Sequence, residues 1–402
     1  MWYVSTRGMA PRVDFEGALF SGYAPDGGLF MPKELPQLGI ETLRQWSSLS
    51  YPSLVKELCT LFIGPELIPR DVLNDLIDRA FHRFRHREVV HLSRLRNGLN
   101  VLELWHGVTY AFKDLALGCT AQFLQYFLEK KEKHVTVVVG TSGDTGSAAI
   151  ESVQGAKNVD IIVLLPQGHC TKIQELQMTT VLRENVHVFG AGCLAQKMGL
   201  PIRLVVAVNR NDIIHRTVQR GDFSLSKAVE LTLASAMDIQ VPYNMERIFW
   251  LLSGSDNQGT RALMEQFERT QSTSLPKELH DKLSEAMTSE SVSDEAITRT
   301  MSRCWEENQY LLCPHSAVAV SYHYQQTDRQ QPSLPRCCLA PASAAKFPEA
   351  VLAAGLTPET PAEILALEFK ETRCTPMRKG DDWTLMLRNT IEGLSWQQRA
   401  HS

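Results

Sequence analysis

A β-branched run, Val135-Thr-Val-Val-Val139, opens straight into a glycine loop, Gly140-Thr-Ser-Gly-Asp-Thr-Gly146, and then into a helical stretch from Ser147 to Gln154. A continuous apolar strand of this kind belongs in the middle of a sheet covered on both faces. The pattern repeats downstream: strand Val159–Leu165, helix Ile173–Arg183 and strand Val186–Phe189. Alternation of this kind requires right-handed crossovers and predicts an α/β fold with mainly parallel sheets and helices on both faces.

One connection strains the pattern. Between strand Val186–Phe189 and strand Ile202–Val208 lie only a short helical piece, Cys193–Met198, and the turn Gly199-Leu-Pro201. A parallel crossover needs about a dozen residues or more, including its helix. This connection is at or below that minimum.

The flanks read differently. Residues 1–90 form a mostly helical module, with turns at Asp26-Gly-Gly28 and Pro32–Pro36 and helical spacing over Glu41–Leu49, Ser53–Phe62 and Pro69–Phe84. His91–Trp105 is extended in character, and Leu115, Cys119, Phe123 and Phe127 mark one face of a helix running to about Lys131. Beyond 210, helices are predicted over Leu225–Met237, Asn244–Leu252, Gln258–Gln271, Asp294–Asn308 and Leu311–Tyr324. Ser272–Ser293 reads as loop plus a solvated helix, and the tail from Asp381 as a last helix. Three regions follow: the module 1–90, an α/β core over 91–335, and a segment 336–402 that closes the core.

Composition removes whole classes. The 402 residues carry 41 Lys plus Arg against 45 Asp plus Glu, a net charge of −4, so no footprint for nucleic acid or an anionic membrane is expected. The nine cysteines include no CxxC pair, which argues against a zinc ribbon and for a reduced, cytoplasmic setting. No apolar stretch approaches a membrane span, and the start of the chain lacks the pattern of a signal peptide.

Three places could carry chemistry. Lys113 stands among Tyr110, Ala111, Phe112 and Leu115, just before a helix. Apolar surroundings and a helix N-terminus both disfavour its ammonium and favour the nucleophilic neutral amine. The alternative is a lysine that snorkels to the surface. At the glycine loop, free backbone N–H groups and the helix dipole make an anion site, to which Thr141, Ser142 and Thr145 add hydroxyls. The loop is G-x-x-G-x-x-G, one residue off the dinucleotide fingerprint, and no acidic residue ends the next strand, so an oxidoreductase is a weak alternative. Ser316, at a helix entrance, is either a hydroxyl for a heterocyclic nitrogen or an ordinary cap. His106 and His215 look like lone histidines, and no metal site is expected.

Taken together, the motifs resemble the threonine synthase family, whose members use pyridoxal phosphate in fold type II. The resemblance rests on Tyr3-Val-Ser-Thr-Arg-Gly8, Asp26-Gly-Gly-Leu-Phe30, His106-Gly-Val-Thr109 with Ala111-Phe-Lys-Asp114, the loop from Gly140, Asn211-Asp212, Pro314-His-Ser-Ala317 and Lys346-Phe-Pro348, all in the family's order. It covers roughly residues 1–370, with Val108 where the family usually has proline. It implies that Lys113 holds the cofactor covalently and shuttles the α-proton, with Phe112 beside it and Ser316 on the pyridine nitrogen. Thr141, Ser142, Gly143, Asp144 and Thr145 would hold the substrate, and Lys346 would meet its phosphate.

The implied reaction removes phosphate from a small phosphorylated amino acid, O-phosphothreonine or O-phosphohomoserine, leaving 2-oxobutyrate and ammonia. Threonine synthase activity is the alternative, and a homodimer the implied assembly. The family also carries a further strand and a second glycine-rich loop, for the cofactor phosphate, after the position of Gly190. Here only Gly190, Ala191 and Gly192 stand there. The strained crossover coincides with that omission, so weak cofactor retention is expected, and an inactive isoform acting through protein contacts is a further alternative.

Overall fold

Three strand pairs are parallel. Strand Val135–Gly140 pairs in parallel with Val159–Leu164, Leu204–Val208 with Met287–Ser291, and Leu99–Glu103 with Arg336–Ala340. Antiparallel pairs join Tyr3–Ser5 to Phe30–Pro32, His91–Arg94 to Leu99–Glu103, and Asp222–Ser224 to Ser272–Ser274. The sheets are therefore mixed: among the described residues three pairs are parallel, as expected, and three antiparallel, and the parallel strands leave Val138, Val205 and Leu339 exposed. The computed structural model describes residues 1–141, 143–165, 171–181, 203–329, 336–375 and 381–401. The strand expected at Val186–Phe189, the helix at Cys193–Met198, the turn at Gly199–Pro201 and the crossover they form lie outside those residues.

The helix Lys113–Lys131 organises the packing. Leu115, Cys119, Phe123 and Phe127 pack on Leu73, Ile77 and Phe81 of the helix Arg70–Phe81. Its other side is apolar as well: Leu128 and Ala121 join Ile150 and Val159, and Leu117 meets Ala148 and Ala149. The helix is sandwiched rather than amphipathic, because it lies between the helical module and the sheet. A second core surrounds the helix Pro314–Asp328, where Ala317, Val318 and Val320 meet Leu99, Val101 and Cys338.

The N-terminal strand does not stop at the helical module. Thr6 donates to Glu246 (2.6 Å), and the Arg7 guanidinium meets both oxygens of Glu246 at 3.1 Å and Glu268 at 2.5 Å. The boundary expected at 335/336 is likewise bridged, because Arg336–Ala340 lies in one sheet with Leu99–Glu103. No helix among the described residues is long and apolar enough to cross a membrane.

The expected helix over Leu225–Met237 is a correction. Those residues are irregular apart from a short 3-10 turn at Ser235–Met237. Side chains take the backbone groups that a helix would have used. Asn211 donates to the Glu230 carbonyl (2.8 Å) and accepts from the Glu230 N–H (2.9 Å), and Asp238 accepts from the Thr232 N–H (2.9 Å). Local polar competition outweighs helical spacing here. In the opposite direction, Ser272–Ser293 is more ordered than expected, holding the helix Lys277–Ala286 between two strands.

Glu246 is 3% exposed and holds the N-terminal strand through Arg7. Glu246→Gln leaves the buried guanidinium with Glu268 as its remaining counter-charge, and a loss of about 1–3 kcal/mol is expected. A lowered urea midpoint at unchanged m-value is the expected reading.

Candidate functional site

Lys113 is the first residue of its helix, one position further in than the sequence implies, so its ammonium faces the dipole's positive end. Burial lowers its pKa, Asp144 pulls it back up, and Lys346 lowers it again. The Nζ has no hydrogen-bond partner among the described residues and lies 5.5 Å from the Phe112 ring centroid. The sequence pattern thus places a lysine where both the dipole and the missing solvation favour a neutral amine.

The loop that delivers Lys113 is fixed from both sides. Asp114 accepts from the Thr109 N–H and hydroxyl, each at 2.8 Å. Gly107 has to be glycine here, because a Cβ would lie 2.2 Å from the Asp114 Oδ2. On the far side, Phe112 donates to the Pro341 carbonyl (2.7 Å) and the Ser343 N–H donates to the Tyr110 carbonyl (3.1 Å). Tyr110 has a left-handed φ of 59°, and its hydroxyl donates to Glu363 at 2.6 Å. Burial pushes the Asp114 carboxyl up to about 6, partly offset by the Thr109 bonds and by Lys346.

The glycine loop is tighter than expected. The helix begins at Asp144, so Asp144, Thr145 and Gly146 form its first turn. Gly143 is its cap and supplies no side-chain partner, which leaves the first N–H groups for an anion. The Thr141 hydroxyl bonds across the turn with Gly143 (3.1 and 3.2 Å). Ser142 lies outside the described residues, as do Gly190 and Gly192.

Lys346 and Asp144 join the two halves of the site. The Lys346 Nζ donates to the Asp144 Oδ1 and to the Thr109 carbonyl, both at 2.7 Å, with the side chain 0% exposed. Gln174 donates to the same Asp144 oxygen (2.9 Å). Burial alone would raise the Asp144 carboxyl, but Lys346 and Lys113 hold it down at about 2. The Lys346 ammonium is therefore committed inside the protein, where the sequence suggested a group meeting substrate. Asp144, grouped by the sequence with the substrate loop, is its counter-ion.

Ser316 is buried at the start of the helix Pro314–Asp328, and its hydroxyl rests 3.0 Å from the Cys313 Sγ, a weak partner. Beside it, the His315 Nε2 accepts from the Ala236 N–H (3.0 Å). The His315 Nδ1 is buried with no partner among the described residues. Burial drops this histidine to about 4, so the ring is neutral near pH 7.

Two residues escaped the sequence reading. Gln174 was legible as a cap, since Thr171-x-x-Gln174 is a capping-box pattern, but its second bond to Asp144 is a tertiary event. His106 is not alone: its ring stacks 4.5 Å from His86 and 4.3 Å from Trp105. His215 makes an ordinary contact with Ser289 at 3.0 Å.

A lysine at a helix start, facing an uncapped glycine-loop helix and closed by a C-terminal loop, defines a fold type II pyridoxal-phosphate scaffold. The chain belongs to the threonine synthase family. The family models for the threonine synthase N terminus and the threonine synthase C-terminal region match residues 2–81 and 316–386. Human threonine synthase-like 2 is 72% identical over 479 aligned positions, covering 100% of this chain and 99% of the relative. The Xenopus laevis protein of the same name is 53% identical, covering 98% and 99%. Among solved structures, yeast threonine synthase superposes with a TM-score of 0.89 at 30% identity, covering 100% of this chain and 99% of its own. Brucella melitensis threonine synthase, solved with pyridoxal phosphate bound, gives 0.85 at 30% identity, covering 94% and 96%.

Gly107→Ala forces the Thr109–Asp114 clasp open, and a loss of about 1–3 kcal/mol is expected in urea unfolding. The Asp144 pair also carries a pH signature. Its pKa is depressed from 3.8, so its contribution is complete above about 4 and fades toward pH 2. Asp114 is shifted the other way, so its contribution grows as pH falls from about 6 to about 4. The stability difference between wild type and Asp144→Asn, followed by denaturation against pH, should accordingly narrow only below about 4.

Proposed function

We propose that this chain is a pyridoxal-phosphate-dependent phospho-lyase acting on a small phosphorylated amino acid such as O-phosphothreonine or O-phosphohomoserine. The observation that carries this reading is Lys113 at a helix start with a destabilised ammonium, held beside the buried Asp144–Lys346 pair. The residues fit the cofactor in two respects. Lys113 offers a buried amine for covalent attachment. The Ser316 hydroxyl has only a sulfur partner, which a heterocyclic nitrogen would displace.

When bound, pyridoxal phosphate supplies the aldehyde and the electron sink for charge at the substrate α-carbon. The protein supplies the rest. The Lys113 Nζ takes and returns the proton at that carbon. The first N–H groups of the helix from Asp144, with Thr141 and Thr145, orient the anionic end of the substrate. Lys346 holds Asp144 and the Thr109 carbonyl at fixed distances, and so acts as a positioning residue. The C–O bond breaks with its electron pair leaving on phosphate. Addition of one water then balances the products 2-oxobutyrate, ammonia and phosphate.

A second reading has its own support. The alignment to the human relative spans 479 positions against 402 residues in this chain, which is consistent with an internal shortfall. We place that shortfall next to Gly190, where the cofactor phosphate would be anchored. On this reading the chain is an isoform that holds the cofactor weakly and acts through protein contacts.

Phosphate release from O-phosphothreonine, together with the visible absorption band of bound cofactor, separates the two. The lyase reading expects both in the purified chain, and Lys113→Ala should abolish turnover. Wild-type rates in that variant would overturn the assignment of Lys113. Absence of the band and of phosphate release in the wild-type chain would favour the inactive isoform.

A further inference from the structure

Away from the Lys113 site, three side chains converge on a turn. One ligand atom each from His86, Glu88 and His91 lies within 4.8 Å of the others. The His91 Nδ1 and Glu88 Oε2 are 2.6 Å apart, and the His86 and His91 ring centroids are 4.7 Å apart. We propose that His86, Glu88 and His91 form a binding site for a divalent transition-metal ion, with zinc as the favoured occupant.

The donor chemistry selects the ion class. Two imidazoles and one carboxylate suit a borderline cation such as zinc, and leave an open position for water. Calcium and magnesium prefer all-oxygen shells. Zinc bonds of about 2.0–2.1 Å place tetrahedral ligand atoms about 3.3 Å apart. The one contact among them, His91 Nδ1 to Glu88 Oε2, is shorter than that at 2.6 Å, and the three ligand atoms lie no more than 4.8 Å apart. The His86 Nδ1 accepts from the Glu88 N–H at 3.2 Å and leaves its Nε2 as the free ligand atom. The His91–Glu88 contact opens by less than an ångström as the ion replaces the hydrogen shared between them.

The backbone holds the three residues together at a cost. Val89 is β-branched, yet it sits at a φ of 65°. The Val90 N–H donates to the Glu88 carbonyl at 2.7 Å, making a tight turn centred on Val89. Left-handed geometry is a real outlier for a β-branched residue. Here it folds Glu88 back toward His91. Burial of Val89 against the core beneath Leu115 and Phe123 keeps the turn in place.

The rest of the surroundings are firm. His91 is the first residue of strand His91–Arg94 and pairs in register with Glu103. Glu103 accepts from Ser93 (2.5 Å), Tyr310 (2.8 Å) and the His106 Nε2–H (2.7 Å), which requires the tautomer with its proton on Nε2. His106 in turn stacks on His86, and its carbonyl accepts from the Arg85 N–H at 3.0 Å. An ion at the turn would pin it against the start of the loop that ends at Lys113.

The test uses the full chain, free of any affinity tag and stripped with a chelator. Zinc binding is measured in competition with a chromophoric chelator, and cobalt is used as a spectroscopic probe. One zinc per chain is expected with a Kd at or below about 10 μM. His86→Ala/His91→Ala should weaken binding by at least about tenfold, the scale seen even for outer-shell losses. His82→Ala, on a histidine outside the cluster, should leave it unchanged. Zinc should also raise Tm in the wild type and not in the double variant. Should the double variant misfold, the single changes His86→Gln and Glu88→Gln decide in the same way. Unchanged affinity in these variants would overturn the site. So would thiolate charge-transfer bands from cobalt, which would assign the ion to exposed cysteines such as Cys337 and Cys374.

Discussion

The site depends on one fully enclosed ammonium. Lys346 reaches two segments at 2.7 Å each: the Asp144 carboxylate at the head of the glycine-loop helix, and the Thr109 carbonyl in the loop leading to Lys113. A buried charge is tolerable only when paired and hydrogen-bonded, so this lysine fixes how far apart the two segments can be. It also sets the electrostatics. Through Asp144 it keeps a negative charge in the interior, and by like-charge repulsion it adds to the destabilisation of the Lys113 ammonium.

Around that interaction the backbone groups are closely matched. Asp114 gathers Thr109, Gln174 gathers Asp144 and the cap of its own helix, and the Thr171 hydroxyl donates to the Lys346 carbonyl at 3.2 Å. Two of these bonds are local, while those from Gln174 to Asp144 and from Thr171 to Lys346 join separate segments; all lie in a region of low dielectric, where each is stronger than in water. The arrangement is rigid where the lysine chain is anchored. The side left open, the head of the helix at Gly143, is the one a ligand anion would fill.

Much of this was legible in the sequence, and what was not has definite causes. The strand Val135–Gly140 and the loop after it follow from β-branching and glycine spacing, which are local properties. The apolar neighbours of Lys113 leave a surface lysine open, and it is the likeness of the surrounding motif to the threonine synthase family that singles it out. The burial of Lys346 was not legible, because three small residues before it say only that something comes close. The irregular stretch from Leu225 has helical spacing, but the adjoining Asp238 and the more distant Asn211 intercept its backbone groups. The histidine cluster escaped because Val89 adopts a conformation that no local propensity would choose. Sequence patterns report preferences; tertiary partners decided these three cases.

The pairing of Leu99–Glu103 with Arg336–Ala340 has a consequence for the order of assembly. The partners are more than two hundred residues apart, and the loop after the second strand clamps the segment carrying Tyr110 and Phe112. During synthesis on the ribosome, the first strand emerges long before its neighbour exists. The lysine-bearing loop therefore has no wall to rest on until nearly the whole chain has been made. Contacts of such long sequence separation form late and slowly. The Lys113 site is among the parts of the molecule that a nascent chain completes late, and a chain released before Arg336–Lys346 would carry Lys113 without these contacts around it.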